Sequence, residues 1–126
     1  MPQTHTQTLL DANETFYRAM RSGDLAAMNA LWSRDRRVSC THPDGPALFG
    51  REAVMESWRI LFARPVPLHI HGVDACVTVT GRTAMILCRE TVGHIELIAS
   101  NIFVNEAGAW RMTNHQAAII RGATAI

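Results

Sequence analysis

The chain has 126 residues, 48% of them apolar, and a formal net charge of +1 at pH 7. That size and apolar content suit one domain around one core. The spread of basic residues along the chain excludes the basic stripe of a nucleic-acid surface, and no run approaches the roughly 18 apolar residues of a membrane span.

The opening MPQTHTQTLL has neither a basic n-region nor an apolar h-region, so it does not read as a signal peptide. A first helix is expected from about Thr8 to Ser22. Leu9, Leu10, Asn13, Phe16, Tyr17 and Met20 form its amphipathic stripe. Gly23 ends it and Asp24 caps a second helix through Leu25, Met28, Leu31 and Trp32. The cluster Arg34-Asp35-Arg36-Arg37 breaks the pattern and reads as a solvated turn. Val38 to His42 alternates as a short strand, with Val38, Cys40 and His42 on one side. Pro43-Asp44-Gly45-Pro46 is turn chemistry. Gly50-Arg51-Glu52 opens a third helix through Val54, Trp58, Leu61 and Phe62, stopped by Pro65 and Pro67. Four strands follow: Leu68–Thr80, Thr83–Val92, His94–Asn105 and Ala109–Ile119. Turns at Gly81, Gly93 and Gly108 make them an antiparallel meander. Helices first and strands second indicate an α+β class.

Three cysteines, Cys40, Cys76 and Cys88, are odd in number and widely spaced. They argue against a disulfide framework or a zinc knuckle and read as small apolar strand residues in a reducing, cytoplasmic setting. Along Thr83–Val92, Ala84, Ile86 and Cys88 alternate with Met85 and Leu87, so both faces are apolar. A sheet wetted on one side does not look like this. The second face calls for a partner, and a homodimer through the outer sheet face supplies one.

The stretches FYRAMRSGDLAAMNALWSRDRRVSC (16–40), HPDGPALFGREAVMESW (42–58) and NEAGAWRMTNHQA (105–117) resemble the nuclear transport factor 2-like superfamily, in its SnoaL-like and ketosteroid-isomerase-like branch. The resemblance covers nearly the whole chain, as one domain with residues 1–7 as a flexible N-terminus. It implies a cone: three N-terminal helices packed on a curved antiparallel sheet, a cystatin-like α+β barrel with a pocket open at one end. It also implies a homodimer, a small apolar carbonyl-bearing ligand, and cofactor-free proton transfer of the isomerase, cyclase or dehydratase kind. A non-catalytic ligand-binding or assembly module is the alternative, because this fold hosts both.

Candidate residues follow. His42, in HPDG, matches the family's base position, with Cys40 as the competing match. An imidazole is well poised as a base at neutral pH, and the plain alternative is a strand-end histidine bonded to the turn. Strand geometry sets Cys40 and His42 about 7 Å apart, too far for a direct pair. The family's tyrosine position falls on Phe16 with Tyr17 one residue off, and its aspartate position on Ser100 or Asn101, so Asn101, Tyr17 or His115 would orient the oxygen. Glu90 shares a face with Ala84, Ile86, Cys88 and Val92. It is a general-acid candidate or, ahead of that, one half of an ion pair with Arg111 or Arg121, and least of all with Arg89, which faces the other side. His115, with Gln116 as the competing match, lies by strict alternation opposite Trp110, Met112, Asn114 and Gln116. His69 and His71 share a face, with His94 and Glu96 as the only visible further ligands. They read as surface histidines, and no metal or cofactor is expected. Phe16, Met20, Trp32, Cys40, Trp58 and Phe62 are the expected ligand-binding wall.

Overall fold

A computed structural model describes residues 5–120. Leu9, Asn13, Phe16, Tyr17 and Met20 form the buried face of α1 (His5–Ser22), as the stripe requires, while Leu10 is partly exposed. The helix starts three residues before the expected Thr8. Thr8 is inside its first turns, with its hydroxyl donating to His5 O at 3.1 Å. Residues 5–7, expected to be loose, are therefore helical, and residues 1–4 lie outside the described part.

Gly23 adopts φ +64°, a left-handed conformation that costs glycine nothing, and it turns the chain into α2 (Leu25–Leu31). Asp24 caps α2 by accepting from Ala27 N at 3.0 Å. Arg51, in the first turn of α3 (Arg51–Phe62), donates to Trp32 O, Ser33 O and both oxygens of Asn29. This clasp ties the end of α2 to the start of α3 and so aims Ser57 and Trp58.

The helices pack on one curved, open sheet. Its strands are β1 (Ser39–Thr41), β2 (Ala47–Phe49), β3 (Ile70–Thr80), β4 (Thr83–Val92), β5 (Ile95–Glu106) and β6 (Ala109–Ile119), in the order β2-β1-β6-β5-β4-β3. The meander β3 to β6 is antiparallel as expected, but the whole sheet is mixed. β1 runs parallel to β6, and a short β2 after the Pro43–Pro46 turn pairs back onto β1. The sheet does not close into a barrel, and β2 and β3 are its edges.

Register brings distant residues together on the inner face. Cys40 pairs with His115, His115 with Asn101, and Asn101 with Ile86. Two same-face rungs along, Leu97 pairs with Glu90 and Glu90 with Gly72. His115 reaches this face because of a bulge. Phe103 pairs with Met112 but Ile102 pairs with Asn114, so Thr113 is an extra residue in β6. The expected alternation slips by one, and Trp110, Met112, His115 and Ala117 are all buried. The placement of His115 opposite Trp110 and Met112 is thus corrected.

The inner face of β4, with Ala84, Ile86, Cys88 and Glu90, is buried. On its outer face Met85 and Leu87 remain 39% and 42% exposed.

Candidate functional site

Between α3, the end of α1 and the inner sheet face lies a cavity of about 430 Å³. Its walls are apolar: Met20 from α1, Trp58, Ile60 and Leu61 from α3, then Ile70, Val92 and Leu97 from the sheet. Five polar side chains complete the lining: His42, Ser57, Arg64, Glu90 and His115. Arg64 is exposed, Glu90 and His115 are buried, and His42 and Ser57 are partly buried.

Hydrogen-bond accounting fixes where the protons sit. Ser57 has one hydroxyl hydrogen, and its oxygen lies 2.6 Å from Val54 O, which can only accept. That hydrogen therefore goes to Val54, and toward His42 Nε2, 2.9 Å away, Ser57 accepts. His42 carries its proton on Nε2, and Nδ1 holds the lone pair. Burial lowers the His42 pKa, so the ring is neutral at pH 7. It packs edge-on against Trp58 with centroids 4.7 Å apart.

The second accounting starts at Glu90. Tyr17 donates its hydroxyl to Glu90 Oε2 at 2.7 Å. The Tyr17 oxygen then accepts from Asn101 Nδ2 at 3.2 Å, and Asn101 Nδ2 also donates to Asn13 Oδ1 at 2.8 Å. This orients the Asn101 amide so that Oδ1 faces His115 Nδ1, 2.6 Å away, which must donate. His115 is thus protonated on Nδ1 and has its lone pair on Nε2. Burial, and then the charge of His42, push the His115 pKa down to about 3, so it is neutral. Burial pushes Glu90 up to about 6, against the Tyr17 hydrogen bond, which pulls it down. Burial and then the Glu90 charge raise the Tyr17 pKa, which keeps the phenol protonated.

The expected residues divide into two layers. His42, Glu90, His115, Met20 and Trp58 line the cavity. Phe16, Tyr17, Trp32, Cys40 and Asn101 are fully buried behind that lining. Phe62 packs on Trp58 with centroids 5.9 Å apart and lines a neighbouring groove instead. Cys40 Sγ lies 3.7 Å from His42 Nε2, closer than the expected 7 Å, because the ring folds back along its strand. Burial, then the Glu90 charge, push the Cys40 thiol up to about 12, which leaves it unreactive. No arginine among the described residues pairs with Glu90: Arg89 bonds Asp74 and Glu96, and Arg111 donates to Ala30 O. Arg121 lies outside the described residues. His69 and His71 are exposed, and among the described residues no three potential metal ligands gather.

Sequence reasoning missed Ser57, Arg64, Leu97, Cys88 as a neighbour of the Tyr17 hydroxyl at 3.2 Å, and Gly72. Asn13 carried a signal, as an amide on an otherwise apolar helix stripe. Gly72 carried none. A Cβ there would stand 2.4 Å from Tyr17 Cε2, so the bare backbone of β3 is what lets the Tyr17 ring lie beneath it.

A family model described as a SnoaL-like domain matches residues 9–121. A solved structure from Streptomyces avermitilis, provisionally assigned as a dehydratase of the NTF2-like family, superposes with a TM-score of 0.87 at 28% identity. It covers 97% of this chain and 100% of its own. A provisionally assigned calcium/calmodulin-dependent protein kinase type II association domain from Thiobacillus denitrificans gives 0.79 at 29% identity, covering 87% and 93%. The F-box protein SKIP8 of Arabidopsis thaliana is 23% identical over 117 residues, 91% of this chain, and the chain spans about half (51%) of that relative's length.

Proposed function

The chain belongs to the SnoaL-like domain family, and from that premise we propose that it is a cofactor-free acid–base catalyst acting on a small, mostly apolar, carbonyl-bearing molecule. One observation carries the reading: His42, Glu90 and His115 converge on one apolar-walled cavity. His42 Nδ1 takes the proton from the carbon next to the carbonyl, and the electron pair moves to the carbonyl oxygen. In an isomerisation the proton returns from His42 to a different carbon. In a dehydration the electron pair moves back and breaks the bond to a β-hydroxyl, which takes the proton of the Glu90 carboxyl and leaves as water. Burial raises the Glu90 carboxyl to about 6, so its minor protonated form at pH 7 supplies that acid, and the apolar walls keep competing water out. Tyr17 and Asn101 have spent their donors within the protein. Dehydration is the activity named for the Streptomyces avermitilis relative.

The test is deuterium incorporation in D₂O, by NMR, next to the carbonyl of a panel of small ketones and β-hydroxy ketones, with water loss followed in parallel. Removing a general acid or base costs about 10²–10⁴-fold, so His42→Ala and Glu90→Gln should each lose activity on that scale while staying folded. Full activity in both variants would end the assignment.

A second reading, a non-catalytic dimeric module, has its own observation: the apolar outer face at Met85 and Leu87. The association-domain relative fits it. In this reading two copies pair through that face, and the free cysteines suit a reducing cytoplasm. Light scattering should show a dimer that Leu87→Glu converts to monomer. A parent protein that is monomeric at every concentration would remove this support.

A further inference from the structure

The hydrogen-bond accounting leaves a one-sided inner cavity. His42 Nδ1, His115 Nε2 and Glu90 Oε1 have no partner among the described residues, and all three belong to cavity-lining side chains. His115 and Glu90 are 3% and 1% exposed. Their unpaired atoms are nevertheless not sealed, because among the described residues the one sealed side-chain nitrogen or oxygen without a hydrogen bond is Trp58 Nε1. What surface these atoms keep therefore faces the cavity. With Glu90 ionised, its major form at pH 7.5, all three accept hydrogen bonds, and every matching donor points the other way: Nε2–H of His42 to Ser57, Nδ1–H of His115 to Asn101, the Tyr17 hydroxyl to Glu90. Two further donors belong to lining residues: Arg64 is exposed, and the unpaired Trp58 Nε1–H is sealed from the cavity.

We propose that this end of the cavity is a hydroxyl-binding site, so that the substrate class is a small, mostly apolar hydroxy-carbonyl compound bound hydroxyl-first. A hydroxyl brings a donor for one of these three lone pairs. A bare carbonyl oxygen brings a fourth acceptor and leaves the set unpaired, and an unpaired buried polar group costs more than a made bond returns. An ammonium also donates. It would have to leave water for apolar walls with one carboxylate for company and Arg64 on the same lining.

The inference rests on the proton-transfer reading for its catalytic meaning, but its test is binding alone. Cyclohexanol, cyclohexanone and cyclohexylamine differ little in shape and differ in what they offer the three acceptors. Titrations at pH 7.5, followed by the ¹⁵N shifts of His42 and His115, should show the alcohol binding at least about ten-fold tighter than the ketone. The His115 Nε2 resonance should move with the alcohol. In His115→Phe, which keeps an apolar ring but removes one acceptor, the preference should shrink several-fold. Equal or tighter binding of the ketone, tighter binding of the amine, or no binding of the alcohol overturns the proposal. Alcohol preference without any deuterium exchange would sink the catalytic reading alone. Exchange with a preference for ketones would sink the hydroxyl site alone.

Discussion

Replacing Gly72 by alanine puts a methyl group 2.4, 2.7 and 3.0 Å from Cε2, Cδ2 and Cζ of Tyr17, inside any real carbon–carbon contact. The ring cannot yield cheaply. Phe16 packs against it with centroids 5.1 Å apart, and its hydroxyl is held by Glu90 and Asn101. Leaving the ring in place means overpacking, at about 1–3 kcal/mol. Moving it away breaks the hydrogen bond to a buried carboxylate, at about 1.5–3 kcal/mol. Either route gives a loss of about 2 kcal/mol, a fall in Tm of roughly 6–12 °C for a chain of this length. Thermal and urea unfolding measure it. A cycle with Tyr17→Leu, which removes the clashing ring atoms, assigns the cause: Gly72→Ala should cost little in that background, with a coupling of about 1–2 kcal/mol. If the ring moves, the Glu90 carboxyl loses its Tyr17 donor and should titrate above about 6. A Gly72→Ala protein within about 0.5 kcal/mol of the parent, or equal losses in both backgrounds, would refute the reasoning.

Acid stability follows from three buried groups. His42 and His115 have folded-state pKa values below 6.5, so the unfolded chain binds more protons as pH falls through 6.5. For His115 stability should drop by about 1.4 kcal/mol per pH unit from pH 6.5 down to about pH 3, and His42 adds a loss in the same direction. Glu90 acts oppositely. Raised from 4.5 to about 6, it makes the fold more stable as pH falls through that interval and offsets part of the loss. Urea midpoints from pH 8 to 4 should therefore fall below pH 6.5, more steeply in Glu90→Gln and less steeply in His115→Phe. A flat profile contradicts the buried neutral imidazoles. Thiol labelling should modify one cysteine per native chain, the exposed Cys76, and all three in denaturant. Rapid native labelling of Cys40 contradicts a thiol pushed up to about 12.

The helices were legible because their stripes are local: the buried residues of α1 follow from spacing alone. The meander was legible because turn glycines punctuate it. The parallel β1–β6 pair was not, because three residues pairing across about 75 positions of chain leave no periodic trace. β2 was hidden by its length, three residues directly after a proline turn. His115 was set on the wrong face because a one-residue bulge reverses alternation, and Thr113 does not announce it. Alternation groups Glu90 with Ala84, Ile86 and Cys88, and His42 with Val38 and Cys40, and leaves open which face is the inner one. The partners of Glu90 and His42 were not readable: Ser57 and Tyr17 reach them only through the crossing of helix and sheet.

The chemistry of the cavity depends on the proton positions of the His42 and His115 rings. Long-range ¹H–¹⁵N spectra of the imidazoles at pH 7 should show both neutral, His42 with its hydrogen on Nε2 and His115 with its hydrogen on Nδ1. The lone-pair nitrogens should respond to a bound alcohol. An imidazolium at either position, or His115 protonated on Nε2, would contradict the donor–acceptor chain from Glu90 through Tyr17 and Asn101, and with it the chemistry assigned to the cavity.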